Sequence, residues 1–218
     1  MSDPIILYGN KPITSPYVFS VFVALEEKGL DYELRLLSLD AGEHLEKQYA
    51  ANSLTNRVPA LVHGDFWLSE SSAIVEYLEE IFPPPQYARL YPADPRQRAR
   101  VRMIQGLIRS DFLPIREERS TETVFQRANA GSLSLAALGS VERLFRIAGQ
   151  LVSGGGSTVA GEFSIADVDL SMLLQRLIAN RDPVPQPLMD YANAIWERPS
   201  VRKWLGMTQY QAPAPPSV

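Results

Sequence analysis

Three short stretches set chemistry-bearing groups beside the ends of expected secondary structure. In TSPYVF, Ser15 stands immediately before Pro16; in NRVPALV, Val58 and Pro59 open an apolar run; in LSESSAIV, Glu70, Ser71 and Ser72 lead into an amphipathic one. A Ser-Pro pair is a helix-start signature, since the hydroxyl accepts from a free first-turn amide and proline tolerates the first helical position. The same place suits an anion, because unpaired amides and a hydroxyl donor converge there. Thr14 offers a second hydroxyl, and the Glu-Ser pair has the same two uses, helix start or grip on a charged ligand. The chain has no cysteine, and its only histidines are His44 and His63. Disulfides, thiolate metal sites and a protein thiol nucleophile are therefore excluded, and a histidine-rich metal site with them. No clustered carboxylate loop suited to a hard cation is visible either. Sulfur chemistry at these positions needs a sulfur that arrives with a ligand.

The elements that must position these groups follow from periodicity. IILYG (5–9) predicts a short buried strand. From Pro16, Val18, Val21, Phe22 and Leu25 recur at helical spacing, and Gly29 supplies the stop. YELRLLSL (32–39) predicts a second strand, which makes a strand-helix-strand unit expected to be parallel. GEHLEKQYAAN reads as a short irregular helix. PALV and FWLS form a hairpin across Gly64-Asp65, and SSAIVEYLEEIF closes the unit with Ile74, Val75, Leu78 and Phe82 inward. This order, βαβ, short helix, ββα, is a thioredoxin-like arrangement over residues 1–83.

Residues 84–95 are a proline-rich linker, and beyond it no strand pattern recurs. Val101, Ile104, Leu107 and Ile108 predict a helix that Pro114 should kink or end, and residues 133–152 predict another. Ser164 and Asp167 form an S-x-x-D capping box, with Phe163 and Val168 spaced as its hydrophobic staple. Residues 165–179 are apolar nearly all round, which suits the centre of a helical bundle. WERPSVRKWL reads as the final helix. The expected fold is thus α/β plus all-α, with a helical domain over 96–210 and a disordered tail, 211–218, rich in proline. GGG at 154–156 lacks the following Lys-Ser/Thr of a phosphate loop and reads as a flexible connection.

Residues 1–83 carry 5 basic and 13 acidic side chains, net −8, whereas residues 84–218 carry 16 and 12, net +4. Two units with different surfaces are implied. The arginines of RQRARVR spread around a helix and form no stripe, and Trp67, Trp196 and Trp204 read as packing, so nucleic acid is not an expected partner. The start, MSDPIILYG, lacks a basic signal-peptide region, and no apolar run approaches the roughly 18 residues of a membrane span. The expectation is a cytoplasmic protein without a membrane partner.

Taken together, the βαβ-ββα order, the Val-Pro and Glu-Ser sites, the proline-rich linker and the S-x-x-D helix resemble the glutathione S-transferase family over residues 5 to about 205. TSPYVFSV is similar to the active-site start of its serine-using and omega-like branches. SPYVFSVFVALEEKGL, LSESSAIVEYLEE and SDFLPIREER resemble a bacterial branch associated with glutathione-dependent peroxidase and thiol-disulfide activities. The resemblance implies glutathione as co-substrate, with no metal, and a homodimer. It implies that Val58 and Pro59 present a backbone edge to the cysteinyl peptide. Glu70 and Ser71 would hold the γ-glutamyl end, and His44 and Arg57 would meet the glycyl carboxylate. Ser15 would stand beside the sulfur, and the second substrate, an electrophile, peroxide or disulfide, would sit between the domains against Phe112 and Arg116. A non-catalytic binding or scaffold protein of the same fold is the alternative class.

Overall fold

The computed structural model describes residues 3–126, 130–152 and 157–211. The glycine connection at 154–156 and the tail from 212 onward lie outside the described residues. Two compact units meet in the sequence between Leu90 and Tyr91.

The first unit is thioredoxin-like. Its strands are β1 (Ile5–Asn10), β2 (Glu33–Leu37), β3 (Ala60–His63) and β4 (Phe66–Ser69), in sheet order β2-β1-β3-β4. β1 and β2 are parallel, and β1–β3 and β3–β4 are antiparallel. Cross-strand register lines up Leu34, Leu7, Leu61 and Leu68 on one face. There α1 (Pro16–Glu27) packs on β1, and α3 (Ser71–Ile81) packs on β3 and β4. A side chain at Gly9 would put its Cβ 3.0 Å from Val18 Cγ1, so the glycine allows the close approach of α1 to the sheet. The stripe expected on α1 is too narrow: Val18 to Leu25 are all buried, with Ser20 and Ala24 small enough to fill the intervening positions. The helix ends as its sequence predicts. Gly29, at φ 63°, donates to Glu26 O at 3.0 Å and Leu30 N–H reaches Leu25 O at 3.1 Å, a Schellman closure. The opposite face of the sheet meets a 3-10 turn (Glu43–Leu45) and the short α2 (Lys47–Ala50).

Just past the end of α1, the Lys28 side chain is fully buried. Its ammonium donates to Glu79 Oε2 at 2.8 Å, Phe82 O at 2.9 Å and Ala88 O at 3.0 Å, which uses all three protons. Glu79 Oε2 also accepts from Leu90 N–H at 3.0 Å. The first half of the proline-rich stretch is therefore pinned to the first unit by a buried ion pair rather than left as a tether.

The second unit is helical: α4 (Pro95–Ser110), α5 (Leu113–Glu118), α6 (Thr121–Phe125), α7 (Leu135–Leu151), α8 (Ile165–Ile178), α9 (Gln186–Trp196) and α10 (Pro199–Leu205). Every residue of α8 is buried, and it packs against α4, α5, α6 and α9. Its capping box is present. Asp167 Oδ2 accepts from Ser164 N–H at 2.8 Å and Ser164 Oγ at 3.0 Å, while Oδ1 takes Val159 N–H at 2.7 Å and Tyr191 OH at 2.9 Å. Burial pushes the Asp167 carboxyl above its ordinary value in spite of these four bonds. Phe163, the expected staple residue, lies under the Arg198 guanidinium at 3.6 Å.

Two expectations need correction. Pro114 neither kinks nor ends the first helix: α4 stops at Ser110, and Pro114 lies in the first turn of α5, where a missing N–H costs nothing. WERPSVRKWL is not one helix, because Trp196 ends α9 and Pro199 opens α10. Proline excludes itself from helix interiors, so a Pro inside an apolar pattern marks a new start as readily as a break.

Lys28→Ala strands Glu79 in the core and is expected to cost about 3–5 kcal/mol, whereas Lys28→Met with Glu79→Leu recovers a large part of that loss. Urea midpoints of the single and double variants measure both.

Candidate functional site

Strand direction assembles the candidate residues of the first unit. β1 and β2 end at the same edge of the sheet, with Asn10 opposite Leu37; β3 begins there, with Ala60 opposite Tyr8; and β4 finishes there, with Ser69 opposite Ala60. Whatever follows β1, β2 and β4 and precedes β3 is gathered at that end. Those segments carry Ser15, His44, Glu70 with Ser71, and Arg57 with Val58 and Pro59.

Ser15 is the N-cap of α1, half-buried, and its Oγ accepts from Val18 N–H at 3.3 Å. A hydroxyl that accepts still has its proton, and no described residue receives it. The capping and donor uses of Ser15 are therefore compatible. Thr14, the competing hydroxyl, is buried and accepts from Asn10 Nδ2 at 2.9 Å. The other end of the same amide, Asn10 Oδ1, accepts from Ser15 N–H at 3.1 Å. Asn10 thus fixes Thr14 and Ser15 with one buried side chain, a role that the sequence does not signal.

The Val58–Pro59 peptide is cis, the isomer left open by the sequence. Neither N–H nor C=O of Val58 has a hydrogen-bond partner among the described residues, while Ala60 already belongs to β3. One residue of backbone edge is left open at the sheet end, the feature that an extended peptide needs to pair. Glu70 caps α3 at φ 73° and ψ 114°, a region where a non-glycine residue costs about 1–3 kcal/mol, and its carboxylate is exposed. Ser71 begins the helix and is buried; the first-turn amides around it have no acceptor within the helix.

Along the neighbouring segment between β2 and β3, two polar atoms are buried without a partner among the described residues: His44 Nδ1 and Asn56 Oδ1. Orphans of this kind are rare enough to call for a ligand or a water. Asn56 had no signal in the sequence beyond its place before Arg57-Val58. The Arg57 side chain is exposed, and Arg57 O accepts from Tyr49 OH at 2.7 Å. Phe112 and Arg116 belong to the second unit. Phe112 is buried at φ 60° as the N-cap of α5, with the Arg143 guanidinium 5.6 Å from its ring centre. Arg116 is half-buried on α5.

The model of the glutathione S-transferase C-terminal domain matches residues 94–209, more than half the chain, and that of the N-terminal domain matches residues 13–86. The chain belongs to the glutathione S-transferase family. Maleylacetoacetate isomerase of Rattus norvegicus is 34% identical over 173 residues, covering 76% of this chain and 77% of that protein. The maleylacetoacetate isomerase of Pseudomonas aeruginosa is 42% identical over 112 residues, 50% of each chain. Among solved structures, a glutathione transferase homologue from Burkholderia gl BGR1 with bound glutathione is 40% identical, with a TM-score of 0.76, and covers 93% of this chain and 96% of that one. The thioredoxin-like unit followed by the helical unit is the organisation of this transferase family. Among the described residues, no three or more acidic or histidine side chains group to hold a metal, and no helix is long and apolar enough to cross a membrane.

Ser15→Ala removes the cap and is expected to lower stability by about 1 kcal/mol, while Ser15→Asp, a strong capping residue, leaves it near the native value. Asn10→Ala leaves two polar partners unpaired and should cost about 1–3 kcal/mol. Urea unfolding at constant slope distinguishes the three.

Proposed function

We propose that this glutathione transferase binds glutathione at the strand-end cluster, holds its sulfur as thiolate beside Ser15, and directs it at a small electrophile. The observation that carries the reading is the coincidence at one sheet edge of an uncommitted hydroxyl proton, an unpaired backbone edge and a helix N-terminus. In this reading Val58 pairs with the cysteinyl peptide. Glu70 faces the α-ammonium, while the Ser71 hydroxyl and helix start hold the α-carboxylate. His44 and Arg57 meet the glycyl carboxylate, and the orphan His44 Nδ1 gains a partner.

The energetics need no base and no metal. A thiol of pKa about 8.5 is only a few per cent ionised at neutral pH, and lowering the pKa by about two units takes about 2.7 kcal/mol. One hydroxyl bond to the anion contributes about 1.5–3 kcal/mol, and the start of α1 adds about 0.3–1 more. Ser15 donates and need not form a covalent bond. Without cysteine the chain forms no mixed disulfide with glutathione, so disulfide or peroxide reduction would require direct attack by the bound thiolate.

A second reading is favoured by the relatives named maleylacetoacetate and maleylpyruvate isomerases. The same thiolate would add to the cis double bond of a maleyl group. The resulting single bond would turn, and loss of the thiolate would restore a trans double bond. Glutathione is then returned unchanged. Both readings suit a cytoplasmic homodimer supplied with reduced glutathione.

The ultraviolet absorbance of the bound thiolate is expected to titrate about two units below the free thiol in the native protein. Ser15→Ala should move that pKa up by about one to two units, and Ser15→Asp should abolish the neutral-pH thiolate while the fold persists. An unchanged pKa in Ser15→Ala sinks the role of Ser15, and failure to be retained on glutathione resin favours the scaffold class. An aryl halide, an organic hydroperoxide, a glutathione mixed disulfide and a maleyl acid, each followed by glutathione consumption, separate the reactions. Turnover of the maleyl acid with no loss of glutathione identifies isomerisation.

A further inference from the structure

A cavity of about 460 Å³ opens on the other face of the first unit's sheet, away from α1 and α3. Its floor is Ile6, Tyr8, Val62 and Trp67, residues that strand alternation puts on one face, and α2 supplies the facing wall through Gln48 and Tyr49. The volume is that of a site for a molecule of several rings. None of Ser15, His44, Arg57, Val58, Pro59, Glu70 or Ser71 lines it.

Three aromatic rings define its surface. Tyr8 and Trp67 stack with centroids 5.3 Å apart and planes at 21°, and Tyr49 stands edge-on to them at 5.2 and 5.9 Å. The trio is held through two of its hydroxyls: Tyr49 OH is anchored on Arg57 O, and Tyr8 OH accepts at 3.2 Å from Nη1 of Arg35, a lining residue whose guanidinium lies 5.9 Å from the Tyr8 ring centre. Charges around the cavity are unevenly satisfied. Arg35 is forked onto Glu33 at 2.7 and 2.8 Å, and Glu43 is paired with Lys11 at 2.6 Å and takes Ser38 N–H at 2.7 Å. Glu46, at the rim, is exposed and makes no side-chain hydrogen bond or ion pair among the described residues. Among the described residues, Glu46 is the charged group of the lining that is left uncommitted, and a fixed aromatic surface beside such a carboxylate favours a flat cation, through ring contact and charge together.

We infer that this cavity is a second small-molecule site, separate from the strand-end cluster, for a planar aromatic ligand bearing a positive charge. Anionic aromatic molecules are disfavoured by Glu46 and neutral ones forgo its attraction.

Calorimetric titration of the full chain with proflavine, a flat three-ring cation, tests the inference. One saturable site is expected, with affinity unchanged by saturating glutathione, and anilinonaphthalene sulfonate should bind more weakly. Glu46→Gln should weaken proflavine about three- to fivefold, as an exposed charge pair allows. Gln48→Trp, at an exposed wall position that threatens no core contact, should weaken it at least about tenfold by filling the space. Absence of saturable binding, displacement of proflavine by glutathione, or native affinity in both variants overturns the assignment. Loss of glutathione binding alone, with proflavine still bound, would count against the strand-end reading and not against this one.

Discussion

The direction in which each strand crosses the sheet decides where the candidate ligand groups stand. Two parallel strands finish, one antiparallel strand starts and another finishes at a single edge, so three connections, after β1, between β2 and β3, and after β4, open onto the same place. Backbone pairing sets this arrangement, and side chains on the loops inherit it. The candidate site is consequently built largely from groups that regular structure leaves over: first-turn amides, a backbone edge at Val58 two residues before β3, and a capping hydroxyl. Such leftovers tend to be satisfied by caps, water or ligands. Here Val58 and the His44 ring nitrogen are not satisfied by described residues.

Ser15 concentrates that logic in one atom. Its oxygen stabilises the helix as an acceptor, and its proton is left for something outside the chain. Fold and chemistry do not compete at this residue, and the same hydroxyl can be retained for both reasons. Asn10 makes the arrangement definite, since its two amide ends engage Thr14 and Ser15 at once and keep the competing hydroxyl occupied.

Buried charge supplies definition elsewhere. Lys28 and Glu79 in the first unit, and Asp167 in the second, are each surrounded by enough partners that removing any one would leave an expensive group in apolar surroundings. Networks of this kind contribute little net stability compared with apolar replacements, but they penalise alternative packings sharply. The pinned stretch up to Leu90 and the start of α8 are the places where the chain uses them.

Much of this was legible in the sequence because the signals are local. Ser-Pro before an apolar stripe, Gly29 after it, Gly64-Asp65 between two short strands, and S-x-x-D before an apolar helix each act within a few residues, so α1, the hairpin and the start of α8 could be placed from spacing alone. Proline in the helical unit was less readable, since Pro114 and Pro199 open helices that an apolar pattern by itself runs together. What only tertiary structure decided are the meetings between distant residues. Lys28 finds Glu79 fifty-one positions away. The Asn10 amide could have faced solvent, and an aromatic cavity formed by Tyr8, Tyr49 and Trp67 requires three elements to pack. Periodicity assigns a residue to a face, but which atoms touch across that face depends on packing geometry, and packing is settled only when the whole chain has folded.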